Sequence, residues 1–375
     1  MSDALMRAWA YLARVAEPPC PELTQLVADV GAVTAAQQVR RGDVSDTLLR
    51  HTAARSHLDC AREDIDRVQR LGGRLVTMDD DEWPLLRFVA FGGDDVRTRP
   101  QGHAPLALWV LGDVRLDDAA ERAAAIVGTR AATAYGEHVA ADLAAGLVAR
   151  DVTVVSGAAF GIDGAAHRAA LACDGRTVAV LAGGVDVPYP AGHSALLHRI
   201  AKEGLVVSEY PPGMRPSRVR FLTRNRLVAA LSGATVVVEA GVRSGAANTA
   251  GWAAALGRIV CAVPGPVTSA ASTGCHTLLR DGAHLVGRAE EIVELIGRIG
   301  ELAPVEEKPV SPLDDLSIDE RRVYEALPAR AARSADEIAV SAGMPAYQVL
   351  GSLAMLEMAG LVIHRDGQWK LGARR

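Results

Sequence analysis

Between residues 123 and 265 six runs of small and β-branched residues recur, and Ala-rich stretches of helical length separate most of them. The runs are A-A-A-I-V-G (123–128), V-T-V-V-S-G (152–157), T-V-A-V-L-A-G-G (177–184), L-V-V-S-E-Y (205–210), A-T-V-V-V-E-A (234–240) and I-V-C-A-V-P-G (259–265). Near-continuous apolar character, rather than alternation with polar residues, marks strands buried on both faces. Helical stretches at 135–150, 162–173 and 245–257 then act as crossovers. The chain is expected to hold an α/β, doubly wound, Rossmann-like parallel sheet domain over about 67–300. Within that range two further strands, R-L-V-T-M and L-A-L-W-V-L-G-D, flank a Pro-containing connection before the first of the six runs.

The two ends of the chain read differently. Residues 1–66 carry Leu23, Leu26, Val27, Val30 and Val33 at helical spacing, broken at Gly31 and Gly42. They predict a small helical domain, of the sterile-alpha-motif or helix-hairpin-helix kind. Residues 301–316 hold three prolines and five acids, the composition of a stiff, solvated linker. Beyond it Ser317 and Ser334 are helix caps, Gly343 makes a turn and Pro345 opens a third helix to about Met358. L-V-I-H-R, Asp366-Gly367 and Q-W-K-L complete a hairpin with a type I′ turn. Helix, helix, turn, helix and hairpin make a winged helix-turn-helix over 317–375.

Composition removes several classes. No apolar run of 18 or more residues is free of charges or turn signals, so no membrane span is expected, and the start of the chain lacks a signal-peptide pattern, which points to the cytoplasm. Five dispersed cysteines without a C-x-x-C pair suit a reducing compartment and exclude a disulfide scaffold. The histidines show no metal spacing, and neither a P-loop nor a G-x-G-x-x-G fingerprint is present, so no metal, nucleotide or other cofactor is expected. Ser156, Asp163 and His167 mimic a triad. However, Asp163 and His167 are one helical turn apart, and Ser156 lacks the G-x-S-x-G elbow. The Asp–His pair is read instead as holding its loop.

In open parallel sheets ligands bind beyond the carboxyl ends of the strands. There the chain places Gly128-Thr129-Arg130, then Ser156, Gly157 and Gly161 ahead of Asp163, then Ser244, Gly245 and Asn248-Thr249. Small residues ahead of helix N-termini can admit an anion, or they can simply make tight turns. A second feature weighs for the anion. The 29 residues between Glu209 and Glu239 contain no carboxylate, and they include R-P-S-R-V-R-F-L-T-R-N-R, five arginines around Phe221, in a chain of net charge −5. Guanidinium groups for phosphates and a ring for a base are what single-stranded nucleic acid requires. A solvated cationic face is the plainer alternative, since only Lys202, Lys308 and Lys370 are lysines and arginine is the ordinary cation here.

These motifs, taken in order, resemble the DNA-processing protein A (DprA, or Smf) family. The similarity rests on G-T-R at 128–130, S-G-A-A-F-G-I-D-G-A-A-H at 156–167, V-L-A-G-G-V-D-V-P-Y-P at 180–190 and S-E-Y-P-P-G at 208–213. It continues through F-L-T-R-N-R at 221–226, V-V-E-A-G-V-R-S-G at 237–245, V-P-G at 263–265 and G-C-H-T-L-L-R-D-G-A at 274–283. The resemblance implies a homodimeric protein that binds single-stranded DNA, protects it and helps load RecA during natural transformation. It implies Gly128, Arg130, Ser156, Gly157, Ser244 and Gly245 in the binding loops. Arg218 and Phe221 correspond to the family's basic-x-x-Phe pair, and Arg224, Asn225 and Arg226 to its R-N-R segment. Leu222 stands where the family has proline, His193 and His276 replace asparagines, and S-G-A-A-N-T-A is less apolar than the usual segment near Asn248.

Physics and resemblance thus agree on a DNA-binding mediator without turnover chemistry. The rival is a nucleotide-processing enzyme of the lysine-decarboxylase-like, or phosphoribohydrolase, Rossmann group. That group carries a catalytic glutamate in a P-G-G-x-G-T-x-x-E loop, whereas this chain has E-A-G-V-R-S-G-A-A-N-T with no carboxylate after the glycines.

Overall fold

The computed structural model describes residues 2–297, 313, 316–329 and 331–372. The chain divides into two compact units, Met1–Ala303 and Pro304–Arg375. Of the linker expected at 301–316, only Leu313 and Leu316 fall within the described residues.

The first unit is organised by a nine-stranded sheet. In chain order its strands are β1 (Gly73–Thr77), β2 (Ala107–Leu111), β3 (Ala123–Val127), β4 (Thr153–Ser156), β5 (Thr177–Leu181), β6 (Leu205–Ser208), β7 (Ala234–Val237), β8 (Ile259–Ala262) and β9 (His284–Leu285). They lie side by side as β1-β2-β6-β5-β4-β3-β7-β8-β9. From β6 to β9 all pairs are parallel, and β2 joins β6, and β1 joins β2, antiparallel. The expected doubly wound sheet is present, with all six expected strands at its centre. The chain works outward from β3 to β6 on one side and returns to lay β7 against the other side of β3. That reversal opens a crevice beyond the carboxyl ends of β3 and β7.

Both sheet faces are covered. Ala123, Ala125 and Val127 of β3 point into a core shared with the Arg218–Ala230 and Gly245–Ala255 helices. Ala124 and Ile126 point the other way, against the Ala134–Val148 and Ile162–Ala172 helices. The three alanines of β3 keep the central strand slim, so helices approach closely on both sides. Each fully buried Val, Leu or Ile here contributes about 1.5–3 kcal/mol.

The N-terminal residues form five helices, Asp3–Val15, Pro21–Val30, Ala32–Arg41, Asp46–Thr52 and Ala61–Arg70. Gly31 (φ 78°) and Gly42 (φ 76°) break them where the pattern predicts. These helices share one core with the sheet: Trp9, Leu12, Leu23 and Val27 pack with Trp109 of β2 and Val206 of β6. Arg14 adds a paired contact to Asp64 and donates to the Pro212 carbonyl. No single helix among the described residues is long and apolar enough to cross a membrane.

The second unit has the expected winged helix layout. Helices Ile318–Ala326 and Ala335–Ala342 begin in capping boxes built by Ser317 with Glu320 and by Ser334 with Glu337. Gly343 takes the left-handed conformation (φ 63°), and the third helix runs Ala346–Met358. Strands β10 (Val362–Arg365) and β11 (Gln368–Leu371) pair around Asp366 and Gly367, both at positive φ. The third helix exposes Tyr347, Leu350, Met355 and Met358, and it carries no lysine or arginine. Of its polar side chains, Gln348 is exposed, but Ser352 is buried in the core of the unit.

A helix without cations and with one exposed amide is poorly equipped to read the major groove. For the single-strand DNA binding that the sequence resemblance implies, ending the chain near Pro309 is therefore expected to leave affinity within about tenfold, or about 1.4 kcal/mol, in a fluorescence-anisotropy titration. A larger loss would place DNA contacts in the wing.

Candidate nucleic-acid interface

At the switch point a cleft of ≈ 590 Å³ is lined by the loops after β3, β4 and β7 and by the first turns of the Arg218–Ala230 helix. Ser217 caps that helix by accepting from the Arg220 amide at 3.4 Å. Ser244 caps the helix on the opposite wall by accepting from the Ala247 amide at 3.2 Å. Both N-termini thus open onto the cleft, and each brings free N–H groups and a partial positive charge.

The loop after β4 forms the floor and is held from two sides. The Asp163 carboxylate accepts from the amides of Gly157 (3.2 Å) and Ala159 (3.3 Å). Arg224 reaches across and donates Nη1 to the carbonyls of Gly157, at 2.7 Å, and Val180. Gly157 is required here, because a Cβ on it would collide with the Arg224 guanidinium. Gly128 is required for the same kind of reason: its Cβ would strike Ile162. Burial pushes the Asp163 carboxyl up, against the nearby positive charge of Arg224, and pushes Arg224 down to about 10. The loop after β3 is secured by Glu239, whose carboxylate accepts from the Thr133 amide (2.9 Å) and hydroxyl (2.6 Å), while its carbonyl takes the Thr129 amide.

Above this floor stands the aromatic centre. Phe221 is half-buried, with the Arg130 guanidinium 5.1 Å and the Arg224 guanidinium 6.0 Å from its ring centroid. Arg130 and Arg218 are exposed on the rim and make no ion pair among the described residues. Elsewhere arginines are commonly matched to acids, as Arg14 is to Asp64, Arg74 to Glu82 and Arg220 to Glu17. Among the described residues lining the cleft Asp163 is the one carboxylate, and it is already engaged. The cleft is thus cationic, with one available π-face.

The structure brings Gly128, Arg130, Gly157, Arg218, Phe221, Arg224, Asn225, Ser244 and Gly245 together in one lining. Their roles differ. Arg224 is buried and spends Nη1 on two backbone carbonyls, while its Nε has no partner among the described residues, so it supplies fixed charge beneath the floor. Asn225 joins the two walls by donating to the Gly245 carbonyl (3.3 Å) and to Asn248 Oδ1 (3.1 Å).

Two expected contacts are corrected. Arg226 is completely buried: it pairs with Glu209 at 2.8 Å, donates to the Gln101 carbonyl at 3.0 Å and lies over Phe91. Its helical position turns it inward, where no phosphate can reach it. Ser156 is also fully buried, and its hydroxyl donates to the Ile126 carbonyl at 2.6 Å, tying β4 to β3.

The apparent triad is dispersed. Ser156 points into the sheet, Asp163 holds the floor loop, and His167 bonds Thr177 at 2.7 Å. The Thr177 hydroxyl spends its proton on the Val154 carbonyl, so His167 Nδ1–H must donate, and Nε2 is left buried without a partner. Protonating Nε2 would bury an unmatched charge, and burial pushes this imidazole down to about 3. Thus Asp163 does hold its loop, while His167 braces β5.

Comparison with known proteins follows the same division into units. A family model for DNA recombination-mediator protein A matches residues 74–297, and one for the DprA winged helix domain matches residues 307–368. A Mycobacterium tuberculosis relative named DNA processing protein DprA is 67% identical over 371 residues, covering 99% of this chain and 95% of the relative. Protein Smf of Escherichia coli is 37% identical over 266 residues, 69% of each chain. The crystal structure of DNA processing protein A from Streptococcus pneumoniae superposes with a TM-score of 0.61 at 27% identity, over 79% of this chain and 99% of that one.

Two stability tests follow from the buried charges. Arg226→Ala leaves Glu209 buried without its countercharge and is expected to cost about 3–5 kcal/mol in denaturant unfolding. Arg218→Ala, on the exposed rim, should cost within about 0.5 kcal/mol. Equal effects would mean that Arg226 is not the internal brace. For His167, the folded state binds fewer protons than the unfolded chain between about 3 and the ordinary histidine value of about 6.5. Its contribution is fully present above that upper value and is lost as pH falls, by up to about 1.4 kcal/mol per pH unit. Unfolding free energies at pH 7 and pH 5 should therefore differ less for His167→Gln than for the wild type. Equal pH losses in the two proteins would contradict this assignment.

Proposed function

The chain belongs to the DNA recombination-mediator protein A family, and from that premise we propose that it binds single-stranded DNA in the switch-point cleft as a recombination mediator. In this reading Arg130 and Arg218 hold phosphates from the rim, and Phe221 stacks on a base. The floor of Gly128, Gly157 and Gly245, with the two capped helix N-termini, lets the backbone approach the strand closely. The observation that carries the proposal is the pairing of exposed arginines, without carboxylate partners among the described residues, with a half-exposed ring, in a cleft whose one described carboxylate is tied to the backbone. We further propose, in keeping with the family, that the bound strand is protected and passed to RecA. The protein would act as a homodimer in the cytoplasm and serve DNA taken up in natural transformation.

The geometry favours binding over turnover. A phosphoribohydrolase needs a carboxylate free to act as acid or base beside the sugar. In this cleft Asp163 faces the amides of its own loop, and Glu239, outside the lining, accepts from the amide and hydroxyl of Thr133, the residue that caps the helix after β3. Incubation with nucleoside monophosphates tests that rival, and release of free base would revive it.

The proposal is tested by a salt titration of single-strand affinity on two variants. Each phosphate contact with a single strand contributes about 0.7 to the slope of log K against log salt. Arg218→Ala is expected to weaken binding to all sequences and to flatten the slope by about that amount. Phe221→Ala should weaken binding by about 1–3 kcal/mol and leave the slope nearly unchanged. Because Phe221 is half-buried, thermal melting of the same variant separates lost stacking from lost fold. Wild-type affinity in both folded variants would remove DNA from this cleft.

A further inference from the structure

We propose that Phe160 and Tyr189 continue the cleft as a ridge on which further bases of the same strand stack; the inference rests on the single-strand reading of the cleft. Aromatic residues are only 4% of this chain, so their placement is informative. Of the four phenylalanines, Phe88 and Phe91 lie in the core, while Phe160 and Phe221 lie beyond the carboxyl ends of the strands. The exposed aromatics among the described residues of the first unit are Tyr135 (42%), Phe160 (48%) and Tyr189 (44%), which follow β3, β4 and β5 on that same edge. A lone exposed ring is ordinary. Three gathered on one edge of a 300-residue unit beside a cationic cleft are not the pattern of chance exposure.

The rings are also linked and seated. Tyr189 lies 5.4 Å from Phe221, tilted by 49°, so the ridge begins at the ring already assigned to the first base. Through Pro190 the chain passes into the 191–193 turn, and Phe160 packs edge-on against His193 of that turn at 4.7 Å. Gly192 lies close beneath Phe160: a Cβ there would come within 3.2 Å of its ring carbons. The seat on this turn reduces the freedom that Phe160 would lose on stacking against a base. Tyr135 differs, because its hydroxyl donates to the Pro264 carbonyl at 2.6 Å on the other side of the switch point. Electrostatics agree with an anionic strand. Residues 157–162 and 187–194 contain no carboxylate, and Arg168, exposed on the helix that follows Phe160, makes no ion pair among the described residues.

The test uses the full chain and an oligothymidylate of about twelve nucleotides, within the range of single-strand site sizes of about 4–16, with one 2-aminopurine placed at successive positions. Phe160→Leu keeps an apolar side chain on His193 and removes the π-face. It is expected to weaken binding about tenfold and to abolish fluorescence quenching at positions on one side of the strand, while quenching at the Phe221 position persists. Phe160→Tyr should restore both. Wild-type affinity and an unchanged quenching pattern in Phe160→Leu would overturn the ridge while leaving the cleft intact. If the wild-type chain failed to bind the oligonucleotide at all, the single-strand reading itself would fall, and the ridge with it.

Discussion

The Gly157 peptide is where the architecture of this protein is decided. Its N–H is taken by Asp163 and its carbonyl by Arg224, so one residue without a side chain is clamped between a buried acid and a buried base. A buried ion is tolerable only when its bonds are made. Asp163 makes its bonds to the loop after β4, and Arg224 gives Nη1 to that loop and to the end of β5 and has the Asp163 charge nearby. The consequence is a cleft floor pinned from both sides, built before any ligand arrives. Preorganisation of this kind lowers the ordering cost of binding a flexible strand.

The same helix serves two incompatible purposes by its periodicity. Arg218 and Leu222 face solvent at i and i+4, while Arg224 and Arg226 turn under the floor and into the core. Arg226 lies against Phe91 and pairs with Glu209, which follows β6, so it links the helix to the far half of the sheet. The cationic run is therefore neither wholly a groove nor wholly a solvated face. Part of it holds the fold, and the part left over defines the cleft.

Arg220 shows how the N-terminal helices enter this arrangement. It pairs with Glu17 just after the first helix and lies over Tyr210, and Arg14 bonds Pro212 from the same direction. The helices thus support the segment that leads into the Arg218–Ala230 helix, behind the side that lines the cleft. The carboxylate-free stretch between Glu209 and Glu239 finds its counterions outside itself, and those counterions select which arginines stay free.

Much of the architecture was legible in the chain. Runs such as A-A-A-I-V and A-T-V-V cannot be half-solvated strands, so their order dictated a doubly wound sheet with a ligand edge. Ser317, Ser334 and Asp366-Gly367 announced the winged helix, because caps and type I′ turns act over three or four residues. Gly128, Arg130 and Ser244 were readable as cleft residues because their loops follow strands, and Phe221 because it interrupts a run of arginines. What local pattern could not assign was direction. Arg218 and Arg226 are the same residue type eight positions apart, and Ser156 lies at a strand end like any loop serine. Only the packed structure gives Arg226 a buried Glu209, gives Ser156 the Ile126 carbonyl and leaves Arg218 without an ion-pair partner among the described residues. Sequence periodicity determined the elements, while burial and counterions brought together by distant segments decided which side chains were spent on the fold and which remained for a ligand.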